Sequence, residues 1–454
     1  MLLLAIVSLG IATHVIFPEI SVGGLTVPTF HNALILGAFA LYGFVHGIKI
    51  FFNPVIIGFT LLLLMTFTLS SRHPNLSTIQ PFKSYFALTL AILLLHLNLK
   101  PEMRFIGLRL LVILAPLSIL IGVIFDIANI HTLFRHEDAS TAIYRLQGAS
   151  IPALLASVAQ FGLISAYTLA TTNRIYIWLG ILNFAIIAAT LTRLEIAIGL
   201  VITGVFFWYM LRANWEQISR QNRRFVLLAI GSVGIIILVA LPGVFSRSTY
   251  VQPEHTIFYL VDDAGEGWAK AVRKGDVDDE CPLRQDGRVR VNCLRRHAVE
   301  KGNKAVSIVH IIQFHSFAFS EENRRFENEN LPIYTSGRLD AWKQYWEAAK
   351  ENLVWGRGLG ASTVVNQGVS TAFVVPHNEY LRLVVDSGFV GLIIMLGAYG
   401  YLLYRSYKAQ HTPLDKLMMM LAIGAFVVLA GFDNPLSAQA IGIPFWFYAA
   451  IQTQ

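Results

Sequence analysis

The sequence predicts an all-α polytopic membrane protein. It is expected to be a bundle of about twelve transmembrane helices with one large, mainly helical loop between the ninth and tenth. Three observations lead there. Of the 454 residues 55% are hydrophobic and 14% charged, whereas a soluble domain carries roughly 25% charged residues; the mean hydropathy is +0.57. Apolar runs recur at about the 20 residues needed to cross a bilayer. Lys and Arg crowd the connections on one side of those runs.

The runs fall at 2–17, 31–52, 54–70, 83–99, 104–125, 149–171, 174–191, 194–211, 225–246, 379–404, 415–432 and 436–452. The first has no basic stretch before it and no small-residue cleavage site, so it reads as a span and not as a leader. The chain therefore divides into 1–246 with spans one to nine, a hydrophilic loop at 247–378, and 379–454 with spans ten to twelve.

Loop charge sets the orientation. One set of connections and span ends holds Lys49, Lys100, Arg104, Arg174, Arg212, Arg220, Arg223, Arg224, Arg405, Lys408 and Lys416. The opposite short loops hold only Arg72, Lys83, Arg135, Arg145 and Arg193. The positive-inside rule places both termini in the cytoplasm and the long loop outside. The net charge of +7 belongs to this topology, which removes the argument for a nucleic-acid partner.

The loop 247–378 has 17 basic and 17 acidic residues. Apolar residues at helical spacing predict helices over 300–326 and 337–353, the second burying Leu339, Trp342, Trp346, Ala349 and Leu353 on one face. The polar, charge-dense stretch 262–296 reads as irregular. Both cysteines, Cys281 and Cys293, lie there. In an oxidising external compartment they are expected to form a disulfide.

Four residues bear candidate chemistry at the external face. His377 follows Pro376 at the mouth of span ten, and imidazole can accept a proton near neutral pH. Arg338 opens an amphipathic helix after Thr335-Ser336-Gly337. An Arg in a first turn opposes the helix dipole unless an anion balances it. Arg193 stands between two apolar spans with almost no loop, and a charge held at membrane depth usually marks function; the bland alternatives are snorkelling and a local pair with Glu195. Arg145, with Arg135 and His136 as neighbours, closes the loop before span six. Gly148 and Pro152 follow it, and Gly148 permits close backbone approach to a ligand.

Three guanidinium groups and one imidazole from separate segments suit a lipid-borne phosphate or diphosphate, since Arg holds phosphate oxygens bidentately without losing its charge. The acidic runs Asp262-Asp263 and Asp276 to Glu280 sit among Lys270, Arg273 and Lys274 and read as solvated surface. No short external loop offers an Asp-x-Asp pair, so no catalytic metal and no cofactor are expected. Phosphate-loop, nucleophile-elbow and zinc-protease signatures are all absent from the sequence.

The motif Ser336-Gly337-Arg338, Trp342, Gly356-Arg357-Gly358-Leu359-Gly360, then His377-Asn378-Glu379-Tyr380-Leu381 and Asp386-Ser387-Gly388-Phe389-Val390-Gly391 resembles the superfamily of O-antigen ligases and polymerases. The resemblance extends to the span count and the large loop, and in these it is closer to the ligases. It implies a GT-C-like membrane glycosyltransferase of the bacterial inner membrane. Such an enzyme passes polysaccharide from undecaprenyl diphosphate to lipid A–core at the periplasmic face, without metal and with inversion. On that resemblance His377, Arg338 and Arg193 are the catalytic residues, and Arg193, Arg338 and Arg145 hold the donor diphosphate. The sequence around Arg193, Thr192-Arg193-Leu194-Glu195, departs from the Ser-Arg more usual in that family. A polymerase or a protein-directed oligosaccharyltransferase uses the same donor, and the sequence leaves the acceptor open. A transporter is the alternative of another class; against it, the halves show no internal repeat and the candidates sit at one face rather than mid-membrane.

Overall fold

A computed structural model describes residues 101–128, 132–138, 143–214, 220–249, 338–358, 361–365, 377–409, 412–432 and 439–453, short stretches before residue 60, and three strands between 258 and 290. The bundle is α-helical: α1 Pro101–Ile127, α2 Pro152–Leu169, α3 Ile175–Ala189, α4 Arg193–Asn214, α5 Arg220–Thr249, α6 Arg338–Lys350, α7 Ala361–Val364, α8 Glu379–Lys408, α9 Pro413–Phe432 and α10 Gln439–Gln452. Six of these, α1, α2, α4, α5, α8 and α9, are long and apolar enough to cross a membrane. Helices thus stand at eight of the twelve predicted spans; the four before residue 100 lie outside the described helices.

Antiparallel strands decorate the helices: β1 Ser21–Val22 with β2 Leu25–Thr26, β3 Phe134–Asp138 with β4 Ile143–Leu146, and a three-stranded set β5 Phe258–Val261, β6 Gly267–Lys270, β7 Arg288–Arg290. Within the stretch 262–296, expected to be irregular, residues 267–270 and 288–290 are strands, and the others lie outside the described residues.

Aromatic stacking and small-residue contacts hold the bundle. Tyr167 of α2 stacks on Phe206 of α4 with ring centroids 4.0 Å apart, and Phe426 of α9 on Phe445 of α10 at 3.9 Å. Gly180 of α3 leaves room for the Tyr167 ring, and Gly162 of α2 for the Asn183 amide. Such small residues let membrane helices approach closely. Asn183 in turn donates to Val112 O at 3.1 Å, joining α3 to α1.

Side-chain contacts define the two ends of the bundle. Arg104 at the start of α1 meets Asp415 at the start of α9 (3.1 Å) and Gln452 at the end of α10 (2.8 Å). Arg405 near the end of α8 donates to Thr453 O, and Thr168 at the end of α2 bonds Tyr448 of α10 at 3.0 Å. At the far end, Tyr380 at the start of α8 donates to Val427 O in the last turns of α9, at 2.7 Å. Short turns and these contacts make α1 to α5, and α8 to α10, alternate in direction. The α3–α4 turn and the start of α8 therefore share one end, while Arg104, Arg174, Arg212, Arg405, Lys408 and Lys416 share the other.

Candidate functional site

The helix that begins beside His377 is two helices in series. Gly388 interrupts α8 with φ 64° and ψ −168°. Beyond it, about 20 residues rise ~30 Å at 1.5 Å each, the thickness of a hydrocarbon core. Phe389, Ile393, Leu396 and Leu403 in that part are exposed, as lipid-facing residues would be. The first segment, 379–387, is different. Glu379 and every residue from Arg382 to Ser387 is buried against protein. The nine residues of this segment measure about 13 Å by the same helical rise, and His377 lies just before its first turn.

A break in a helix frees backbone groups that must find partners. Here the loop after α6 supplies them. Arg357 N donates to Val385 O (2.8 Å) and Gly358 N to Asp386 O (3.0 Å), while Phe389 N donates to Leu353 O (2.7 Å) and Val390 N to Val354 O (3.3 Å). The Gly-rich motif at 356–358 and the Asp-Ser-Gly motif at 386–388 are thus two halves of one joint. Gly356 and Gly358 have φ of 74° and 104°, which glycine adopts without strain.

Three charged residues are buried on segment 379–387. Arg382 Nη1 lies 3.0 Å from Glu379 Oε1, and Arg382 Nε lies 3.9 Å from Asp386 Oδ2; the side chains are 3%, 2% and 0% exposed respectively for Arg382, Glu379 and Asp386. Asp386 Oδ1 accepts from Ser362 N of α7 at 2.8 Å. Tyr345 of α6 donates to Ser362 O at 2.8 Å. Burial, and then the Asp386 carboxylate, push the Tyr345 phenol above its usual range, so it remains a donor.

The buried face of α6 keeps Ala349 and Leu353 of the predicted set, with Trp342 half-buried beside Phe432, and differs from it at Trp346. Tyr345, Ala348 and Ala349 are buried, while Trp346 is 38% exposed. The bond from Tyr345 to Ser362 O of α7 brings this polar residue into the buried face, which the apolar count passes over.

His377 is half-buried with φ 46°, outside the region most residues prefer. Asn378 caps the helix, its Oδ1 accepting from Leu381 N at 3.0 Å. Arg338 occupies the first position of α6; its side chain lies outside the described residues, as do the Ser336-Gly337 cap, the helix expected at 300–326, and Cys281 and Cys293 with their expected disulfide.

Arg193 opens α4 and is exposed. Glu195, two positions on, is buried, and residues two apart on a helix do not face each other. The turn before Arg193 is tight: Leu191 has φ 53°, and the Thr190 and Thr192 hydroxyls are 2.6 Å apart. Arg145, 9% exposed, donates from Nε to Thr190 O at 2.7 Å. That cation at the C-terminus of α3 complements the helix dipole and ties β4 to the Arg193 turn. Gly148 departs from the sequence reading. The close approach it permits is to α1, where Ala149 N donates to Ser118 O at 3.0 Å and a Cβ on Gly122 would strike Gly148.

The structure brings Arg145 to the Arg193 turn, and packs the helix of Arg338 against the helix of His377 through Tyr345, Ala349, Val384 and Val385. The two pairs stand at the same end of the bundle, and no described contact joins one pair to the other. Sequence reasoning met Glu379 and Asp386 only as members of the motif and passed over Arg382; the i, i+3, i+7 spacing of the three on an otherwise apolar helix is the available signal. Among the described residues no three His, Cys, Asp or Glu side chains converge on a metal-sized site.

A family model described as O-antigen ligase matches residues 175–396, from the start of α3 into the spanning part of α8, a stretch that includes Arg193, Arg338 and His377. No curated protein matches the chain.

Proposed function

Because residues 175–396 place this chain in the O-antigen ligase family, we propose that it is a membrane glycosyltransferase that transfers polysaccharide from undecaprenyl diphosphate to the core sugars of lipid A. The transfer takes place on the periplasmic side of the bacterial inner membrane, with both termini in the cytoplasm. The observation that carries this reading is the shared end of the bundle. Exposed Arg193, the first residue of α6 and His377 stand there, opposite the end where Arg104, Arg174, Arg212, Arg405, Lys408 and Lys416 gather. The positive-inside rule assigns the basic end to the cytoplasm.

In the proposed reaction Arg193 and Arg338 clasp the donor diphosphate. Arg145 contributes through the turn it holds. The acceptor hydroxyl attacks the anomeric carbon from the face opposite the diphosphate. A new C–O bond forms as the bond to the diphosphate oxygen breaks, and the configuration inverts. Guanidinium groups meet the charge that develops on the leaving diphosphate, a contribution of several kcal/mol by analogy with preorganised donors elsewhere; the scheme calls for no metal and no cofactor. His377 takes the acceptor proton or orients its hydroxyl.

A polymerase, passing the chain to a second lipid-linked repeat, shares every one of these steps except the acceptor. The deciding experiment supplies purified protein with polyprenyl-diphosphate-linked glycan and lipid A–core, with chelator present. Glycan ladders on lipid A–core that vanish in His377→Ala support the ligase. Growth of the lipid-linked glycan alone means a polymerase. Donor crossing vesicles that contain no acceptor means a transporter.

A further inference from the structure

Segment 379–387 is bounded at both ends by left-handed backbone, at His377 (φ 46°) and at Gly388 (φ 64°). Its direction is therefore not inherited from the spanning helix below it. A rigid α-helix would transmit orientation along its hydrogen-bond ladder, but a break gives that up. Whatever aims His377 must act on this short segment from the side.

We propose that Arg382 and Asp386 are positioning residues for the transfer site, and that the relay Tyr345–Ser362–Asp386–Arg382–Glu379 sets His377 in register with the helix that begins at Arg338. The proposal rests on the glycosyl-transfer reading above. The links are Tyr345 Oη to Ser362 O, Ser362 N to Asp386 Oδ1, Asp386 to Arg382 at 3.9 Å, and Arg382 to Glu379. The relay starts on α6, seven residues after Arg338, and ends two residues after His377.

The charges are an expensive way to fill space. Apolar side chains of similar size commonly stabilise as well as a buried ion pair or better, whereas breaking one partner of such a pair is strongly destabilising. What the trio adds is an ordered line of charge along the segment: the planar guanidinium hydrogen-bonds Glu379 at 3.0 Å and lies 3.9 Å from Asp386, an ionic contact longer than a hydrogen bond. At 3% exposure Arg382 is out of reach of a glycolipid. It therefore acts through His377 and not on the donor. Tyr380, bonded to Val427 O, secures the same segment to α9.

The experiment compares full-length Arg382→Gln, Asp386→Asn and the double variant with the unaltered protein. Lipid-linked donor and lipid A–core are the substrates, and elution as a folded species is checked first. Asp386→Asn keeps an oxygen for Ser362 N and removes only the charge. A misplacement of about 1 Å can cost on the order of 100-fold in rate. We expect Arg382→Gln to lower kcat by at least about tenfold with the donor KM little changed, and the double variant to regain much of that loss, because neutral Gln and Asn can hydrogen-bond each other. Unchanged kcat in folded Arg382→Gln overturns the proposal, as does a rise in KM alone, which would put Arg382 in donor binding. Amide exchange over residues 377–382 is read in the same proteins. Faster exchange in Arg382→Gln than in Asp386→Asn is expected, and equal exchange in all variants also overturns it. The reading beneath fails separately, if the unaltered protein transfers nothing or His377→Asn keeps full rate; amide exchange still tests the relay in that case.

Discussion

Gly356 and Gly388 interlock. A Cβ on Gly356 would strike the Asp386–Ser387 peptide, and a Cβ on Gly388 would strike the Val354–Trp355 peptide. Each glycine thus makes room for the backbone that the other one's segment presents, and both hold positive φ. The four hydrogen bonds between residues 353–358 and 385–390 depend on this approach.

Gly356→Ala and Gly388→Ala should each lower stability by more than about 2 kcal/mol, since the left-handed backbone alone costs an L-residue roughly 1–2 kcal/mol before the clash is counted. Gly397→Ala and Gly400→Ala are the controls. They lie on the same helix with open space around them, where replacing helical Gly by Ala is neutral or favourable by up to about 1 kcal/mol. Thermal unfolding of the four variants in one detergent checks this. Equal Tm values across the set would mean that the joint carries no load.

His377→Asn should keep the fold and lose transfer. Asn tolerates the left-handed backbone that His377 adopts, so it removes the imidazole with little backbone penalty. A positioned general base typically contributes about 10²–10⁴-fold. The single-turnover rate with donor in excess is the measurement, and a loss in that range alongside an unchanged Tm is the expected result.

How far the sequence reaches is plain from particular residues. Apolar length placed the helices from Pro101 to Gln452 within a few residues, because lipid rewards composition directly. The break at Gly388 was hidden for the same reason: Phe389, Val390 and Leu392 continue the apolar run across it. Hydrophobicity counts place Trp346 on the buried face of α6 and pass over Tyr345, because they do not register Ser362 O 2.8 Å from the phenol. His377, Arg338 and Arg193 were legible as unusual residues at span ends. The work of Arg145 on Thr190 O was not, because it joins a strand to a turn 45 residues away.

Arg145→Gln should destabilise the protein by about 1.5–3 kcal/mol, the usual worth of a hydrogen bond from a charged donor, and should also slow transfer. The loss follows from Thr190 O, left buried at the end of α3, and from the strained turn at Leu191 that leads to Arg193. Arg145→Lys keeps the charge at the helix terminus and should retain part of the stability. If Arg193→Ala and the Arg145→Gln/Arg193→Ala pair show the same residual rate, Arg145 acts through Arg193. Additive losses would give it a separate contact with the donor.

Arg104→Met should cost stability without touching the chemistry. Arg104 ties Asp415 (3.1 Å) and Gln452 (2.8 Å), so one side chain joins the ends of α1, α9 and α10. Asp415 is 7% exposed and shares its other oxygen with Thr412 N in a capping box at the start of α9. Without Arg104 its carboxylate keeps the cap and loses its counter-ion, at a cost of about 1–3 kcal/mol, toward the low end because Arg104 is 20% exposed. This junction is at the basic end, a bundle length from His377 and Arg193. Transfer per folded molecule should therefore stay within about twofold, the spread expected for distant, independent positions, while Tm falls. A matched fall in the rate constant of the folded fraction would show that the two ends are coupled, and that the site is not confined to the end where Arg193 and His377 stand.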